Sequence, residues 1–177
     1  MKKVLIGLVI LIILAAGGLF IVNGKSNYEP SKYSLNVKLD GEKFGIGSKI
    51  DFTLPDQFDK AYTLTEDINK LFFVFTKDTG HIFKAFMADK PEGYLNKKRV
   101  VAIADISGMP VLIQNTFALP DFKSSNYSLM LIYDKEMAKK LKDGQDATKV
   151  IIMTLKDKSV IKVEHAGSIE ELGKILD

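Results

Sequence analysis

The chain contains no cysteine. That absence excludes disulfides, thiolate metal sites and thiol nucleophiles, because each needs a sulfur that is not there. It does not fix the compartment, since a disulfide-free protein can reside anywhere. Glycine-rich phosphate loops and G-x-S-x-G nucleophile elbows are also missing. The acidic stretch Asp143-Gly144-Gln145-Asp146 lacks the spacing of a calcium-binding loop and reads as solvated. Net charge is only +3 and is spread along the chain, with no basic stripe interleaved with aromatics, so nucleic acid is not an expected partner. Histidine occurs twice, at His81 and His165, too sparsely to predict a metal site, and no cofactor is expected.

What the chain does have is apolar residues in organised runs. Hydrophobic residues make up 46% and charged ones 27%, a balance that supports a packed core rather than disorder. At 177 residues the length corresponds to about one domain. Residues 4–22 (VLIGLVILIILAAGGLFIV) carry no charge. As a helix this run would span roughly 28 Å, close to the hydrocarbon thickness of a bilayer. Two readings compete: a retained signal anchor and a cleaved signal peptide. The length favours the anchor, because signal-peptide cores are shorter. The small residues Ala15, Ala16, Gly17 and Gly18 supply what a cleavage site needs. Lys2 and Lys3 favour a cytoplasmic N-terminus, residues 1–3, and so an extracytoplasmic or periplasmic remainder held at the inner membrane.

Residues 23–46 read as a polar linker and a leading strand, YSLNVK, which alternates apolar and polar. Residues 47–177 form the expected domain. KIDFTL, AYTL and LFFVFT read as strands, followed by a helical pattern in which Ile82, Phe83 and Phe86 share a side. Thr65 is a plausible N-cap for a helical turn between AYTL and LFFVFT. RVVAIAD and SLMLIY are further buried strands, separated by a helix opening at Pro110 as its first residue. A polar helix spans residues 135–142. KVIIMTL and SVIKVE form a closing hairpin, and Ser168 with Glu171 makes a capping box for a last helix. The order predicts an α/β domain with a mixed sheet flanked by helices, its early strands parallel and its last hairpin antiparallel.

GSKIDFTLPDQFDKAYTL, residues 47–64, resembles the opening of the peroxiredoxin and TlpA/ResA-like branch of the thioredoxin fold. LFFVFTKDTG then stands where that family has its first central strand and redox turn. VIIMTLKDKSVIKVEHAGSIEELGKIL resembles its closing hairpin and helix. The family's redox turn is a C-x-x-C or a lone cysteine; this chain has Lys77, Asp78, Thr79, Gly80 and His81 there. The cis-proline that faces the redox turn in the family is replaced by Asp146-Ala147-Thr148.

The resemblance therefore implies the fold without the redox chemistry. The expectation that follows is a membrane-anchored, redox-inactive binding protein, not an enzyme. It would stabilise or help assemble an inner-membrane or periplasmic protein complex, such as a flagellar motor, respiratory or transport assembly. Self-association through sheet edges or helices is a further expectation. The candidate partner-binding residues are Lys77, Asp78, Thr79, His81, Phe83, Phe86, Met109 and Phe117, with Met87 beside them; core packing competes for each apolar one. The rival expectations are an extracytoplasmic enzyme using His81 with Asp78 and Thr76, or a secreted small-ligand-binding domain.

Overall fold

The computed structural model describes residues 24–176. The apolar run at 4–22, and the anchor expected of it, lie outside the described residues. Among the described residues no helix is long and apolar enough to cross a membrane.

Eight strands form one sheet among the described residues. In chain order they are β1 (Ser34–Lys38), β2 (Lys49–Pro55), β3 (Ala61–Thr63), β4 (Lys70–Val74), β5 (Val100–Asp105), β6 (Leu129–Ile132), β7 (Val150–Lys156) and β8 (Ser159–Ala166). The spatial order is β1-β2-β8-β7-β4-β5-β6, with β3 on β2. β4, β5 and β6 are parallel, and β7 returns antiparallel to β4 and forms the hairpin with β8. The helices are α1 (Lys77–Met87), α2 (Tyr94–Lys97), α3 (Val111–Ile113), α4 (Leu119–Lys123), α5 (Lys135–Lys142) and α6 (Ile169–Leu176).

Between their ends the central strands are almost wholly apolar because both faces are covered. On one face Phe72, Val74, Ala102, Leu131 and Ile152 meet Phe83, Phe86 and Met87 of α1 and Leu172 and Leu176 of α6. On the other, Leu71, Phe73, Ile103, Ile132, Ile151 and Met153 meet Ala138 and Leu141 of α5 and Ile50, Phe52 and Leu54 of β2. β2 covers that face by crossing it. It pairs with β8 at Lys49↔Ser159, and just past its end Asp56 bridges Met130 in β6. Seven residues rise about 23 Å, and the four gaps from β8 to β6 add to about 19 Å, so one strand reaches from one edge to the other.

Three expectations change in detail. Thr65 opens no helix: a turn occupies residues 66–67, and the Thr65 hydroxyl bonds the Asp67 side chain, holding that carboxyl below its usual range. β4 starts at Lys70, which leaves too few residues for a helix. α1 begins at Lys77, well before Ile82, because a cap at Thr76 nucleates it. Pro110 stands at the N-cap of α3, extended at ψ 140°, one residue ahead of the expected first helical position. No peptide bond among the described residues is cis.

Candidate functional site

Parallel strands joined by helical crossovers leave a crevice beyond their C-terminal ends. Here the C-terminal ends of β4 and β5, with Leu129 at the start of β6, open into a groove of about 1470 Å³. Val74, Phe83, Ile106, Met109, Tyr127 and Leu129 form an apolar floor. Tyr127 meets Phe83 edge-on at 5.5 Å between ring centres. Lys77, Gly80, His81 and Lys84 of α1 make one wall, and Ile113, Phe117 and Phe122 make the opposite one. Lys135, Glu136, Lys139 and Lys140 of α5 close a third side.

The N-terminus of α1 is sealed by its own side chains. Thr76 is the N-cap, and its Oγ1 accepts from the Thr79 amide at 3.2 Å. The Thr79 hydroxyl accepts from the Thr76 amide at 3.0 Å and donates to the Thr76 carbonyl at 2.9 Å. This is a capping box with threonine at both ends. The two hydroxyls lie 3.1 Å apart, and Thr79 is fully buried. Each hydroxyl is committed to the cap, so neither is presented as a nucleophile. His81 is exposed, and no hydrogen bond joins it to Asp78, Thr76 or Thr79 among the described residues. A base needs a proton within hydrogen-bond reach, and this arrangement does not supply one.

The far wall is an unusual helix. Between α3 and α4 lies a π turn, Gln114–Ala118, closed by the Leu119 amide reaching back to the Gln114 carbonyl. Pro120 follows directly; it lacks an N–H and its ring would strike the carbonyl four residues back, and a widened turn relieves that clash. Gln114 holds the turn in place. Its buried side chain donates to the carbonyls of Ile106 at 3.0 Å and Met109 at 2.9 Å. Gln114→Ala leaves both carbonyls without this donor and should lower stability by about 1–3 kcal/mol in urea unfolding. The two walls are linked by an ion pair between Lys84 and Asp121. Both ends are half exposed, so it contributes little to stability.

A second ion pair lies deeper. Asp105 ends β5 with its side chain only 5% exposed, and Lys142 of α5 reaches it at 2.7 Å. Ser107 donates to the same carboxylate through its amide at 2.9 Å and its hydroxyl at 2.6 Å. The Lys142 ammonium also stands 5.4 Å over the Phe75 ring. A carboxylate at the end of an apolar strand was the available sequence signal; its lysine, 37 positions away, left none.

The leading segment runs along the outer flank of the π turn. The Lys25 carbonyl accepts from the Asn115 side chain at 2.8 Å. Tyr28 stacks between Tyr133, at 4.7 Å, and Tyr33, at 5.4 Å. Tyr33 donates to Asp59 at 2.9 Å. Burial, reinforced by Asp59, pushes the phenols of Tyr33 and Tyr133 up to about 12. A raised folded-state value means the folded chain holds its proton where the unfolded one has lost it. Stability is therefore full below about pH 10 and falls as pH rises towards about 12. A near-ultraviolet alkaline titration should show late-ionising tyrosines, and Tyr133→Phe should remove one of them.

Of the candidate residues, Lys77, His81, Phe83, Met109 and Phe117 line the groove. Phe117 is 64% exposed, the most open of the apolar ones. Asp78 lies outside the lining. Thr79 is locked in the cap, and Phe86 and Met87 are buried under α1, because their side of the helix faces the sheet. Ile113, Phe122 and the lysines of α5 are groove residues that sequence reasoning missed. His165 lies opposite Ile151 on β8, with its Nε2 buried and without a hydrogen bond, and Glu164 is on the other face. Among the described residues no group of three or more histidines and carboxylates could hold a metal ion.

No protein-family model matches the chain, and no curated protein matches it. Solved structures do. The C-terminal domain of a candidate thiol-disulfide oxidoreductase from Bacteroides thetaiotaomicron matches with a TM-score of 0.50 at 15% identity, over 76% of this chain and 95% of that one. A peroxiredoxin-like protein from Aquifex aeolicus matches at 0.47 and 13% identity, over 79% and 90%. The mitochondrial 2-cys peroxiredoxin of Plasmodium falciparum matches at 0.47 and 11%, over 74% and 89%. The chain carries a thioredoxin-like fold, a mixed sheet flanked by helices, without any cysteine.

Proposed function

We propose that this protein is a redox-inactive, membrane-anchored binding module that stabilises or helps assemble a protein complex of the inner membrane or envelope. The observation that carries this reading is the groove itself. It is large, open and apolar-floored, and the helix N-terminus at its edge is closed by Thr76 and Thr79. Thiol–disulfide exchange has no sulfur to work with. What remains is a shaped surface with apolar contacts, suited to recognition. An anchor at residues 4–22 would hold the domain beside membrane clients and raise its effective concentration there.

The test is affinity capture of the tagged full-length chain from detergent-solubilised membranes, beside a copy lacking residues 1–22. Stoichiometric recovery of one membrane complex is the expected result. Phe117→Asp should reduce recovery at least tenfold, about 1.4 kcal/mol, while the melting temperature holds, because the ring is already largely in solvent. Recovery of no partner, or full recovery by the variant, would overturn the reading.

A further inference from the structure

Resting on that reading, we infer that the groove takes an acidic amphipathic segment of the partner adjoining the membrane surface. Two observations carry it. The first is charge. Among the described residues, Lys77, Lys135, Lys139 and Lys140 line the groove without an ion-pair partner. Only Glu136 and Asp143 stand unpaired against them, because the other two lining carboxylates, Asp105 and Asp121, are held by Lys142 and Lys84. An apolar floor below a rim with two lysines in excess fits a helix or strand with one apolar face and carboxylates along its edge.

The second is where the chain leaves the domain. Lys25 is pinned to Asn115, and the uncharged run ends only three residues earlier, at Val22. Ile113 and Phe117 are four apart and share a flank of the helix, while Asn115 lies on the other. One helix, about 10 Å across, therefore separates the tether from the groove mouth. With residues 4–22 in a bilayer, the mouth opens near the headgroups. A segment remote from the membrane would have to fold back to reach it.

The experiment places a photo-crosslinking amino acid at Phe117 in the full-length chain, in native membranes. The control is Ile161, which is 53% exposed on β8 at the opposite end of the sheet. The expected result is a protein adduct at Phe117 alone, mapping to an acidic stretch that adjoins a membrane span. Lys139→Glu with Lys140→Glu should cut adduct yield at least tenfold. A flexible insertion between Gly24 and Lys25 should also lower it. An adduct with lipid only would overturn the inference in favour of the membrane surface. A protein adduct mapping to a basic or membrane-remote segment would overturn it and leave the proposed function standing. Equal yields at Phe117 and Ile161 would overturn both.

Discussion

Phe52→Ala should lower the unfolding free energy by about 3–5 kcal/mol, read as a shifted urea midpoint at unchanged slope. Phe52 is 1% exposed at the middle of β2, where that strand lies across the sheet. Its ring packs in the layer with Phe73 and Ile103 and stands 6.4 Å from Tyr62. The backbone of β2 is held at both ends, by β8 and by β6, which limits how far the strand can move in to close the hole. Domains of this size are stable by about 5–15 kcal/mol, so the variant should sit near the edge of folding. Phe58→Ala, at a 51% exposed ring, should change stability by about 0.5 kcal/mol or less. A small loss at Phe52 would mean that β2 does not roof that face.

Thr76→Cys with Thr79→Cys should create an intramolecular disulfide. The two hydroxyl oxygens already lie 3.1 Å apart at positions N-cap and N3 of α1. The spacing is cysteine, two residues, cysteine, and the helix N-terminus favours the thiolate that starts the exchange. Under mild oxidation both thiols should resist alkylation and the mass should fall by two hydrogens. The reduced form should be less stable than the parent by about 1–2 kcal/mol, because the capping box is lost. Two freely alkylated thiols after oxidation would show that the backbone no longer brings these side chains together. A closed bond would show that the helix start holds these two side chains at disulfide distance.

Much of the fold was legible because it is written in local patterns. The apolar runs at β4, β5, β6 and β7 are continuous since both faces are covered, and α5 matched its expected bounds. The crossing of β2 was not legible, because it depends on Lys49 meeting Ser159 and Asp56 meeting Met130, contacts between distant parts of the chain. The π turn was not legible either, although its determinants are local: Pro120 just beyond it, and Gln114 with acceptors at Ile106 and Met109. In the candidate site, residues 77–81, expected as a turn, are the first residues of α1, and the sorting of the nearby aromatics was not legible. Phe83, Phe86 and Phe117 look alike in sequence. Only packing decides that Phe86 is buried against the sheet while Phe117 stands in solvent.

The pinned leading segment also defines a load path. Among the described contacts, tension on the tether would reach first the Lys25–Asn115 hydrogen bond and the Tyr28 stack, and only then the β1–β2 ladder. About ten residues, roughly 35 Å of contour, would be released before the sheet bears any force. The first element to feel a pull is the π turn, which is also a wall of the groove. A stretched tether would thus disturb the binding face before it threatened the fold.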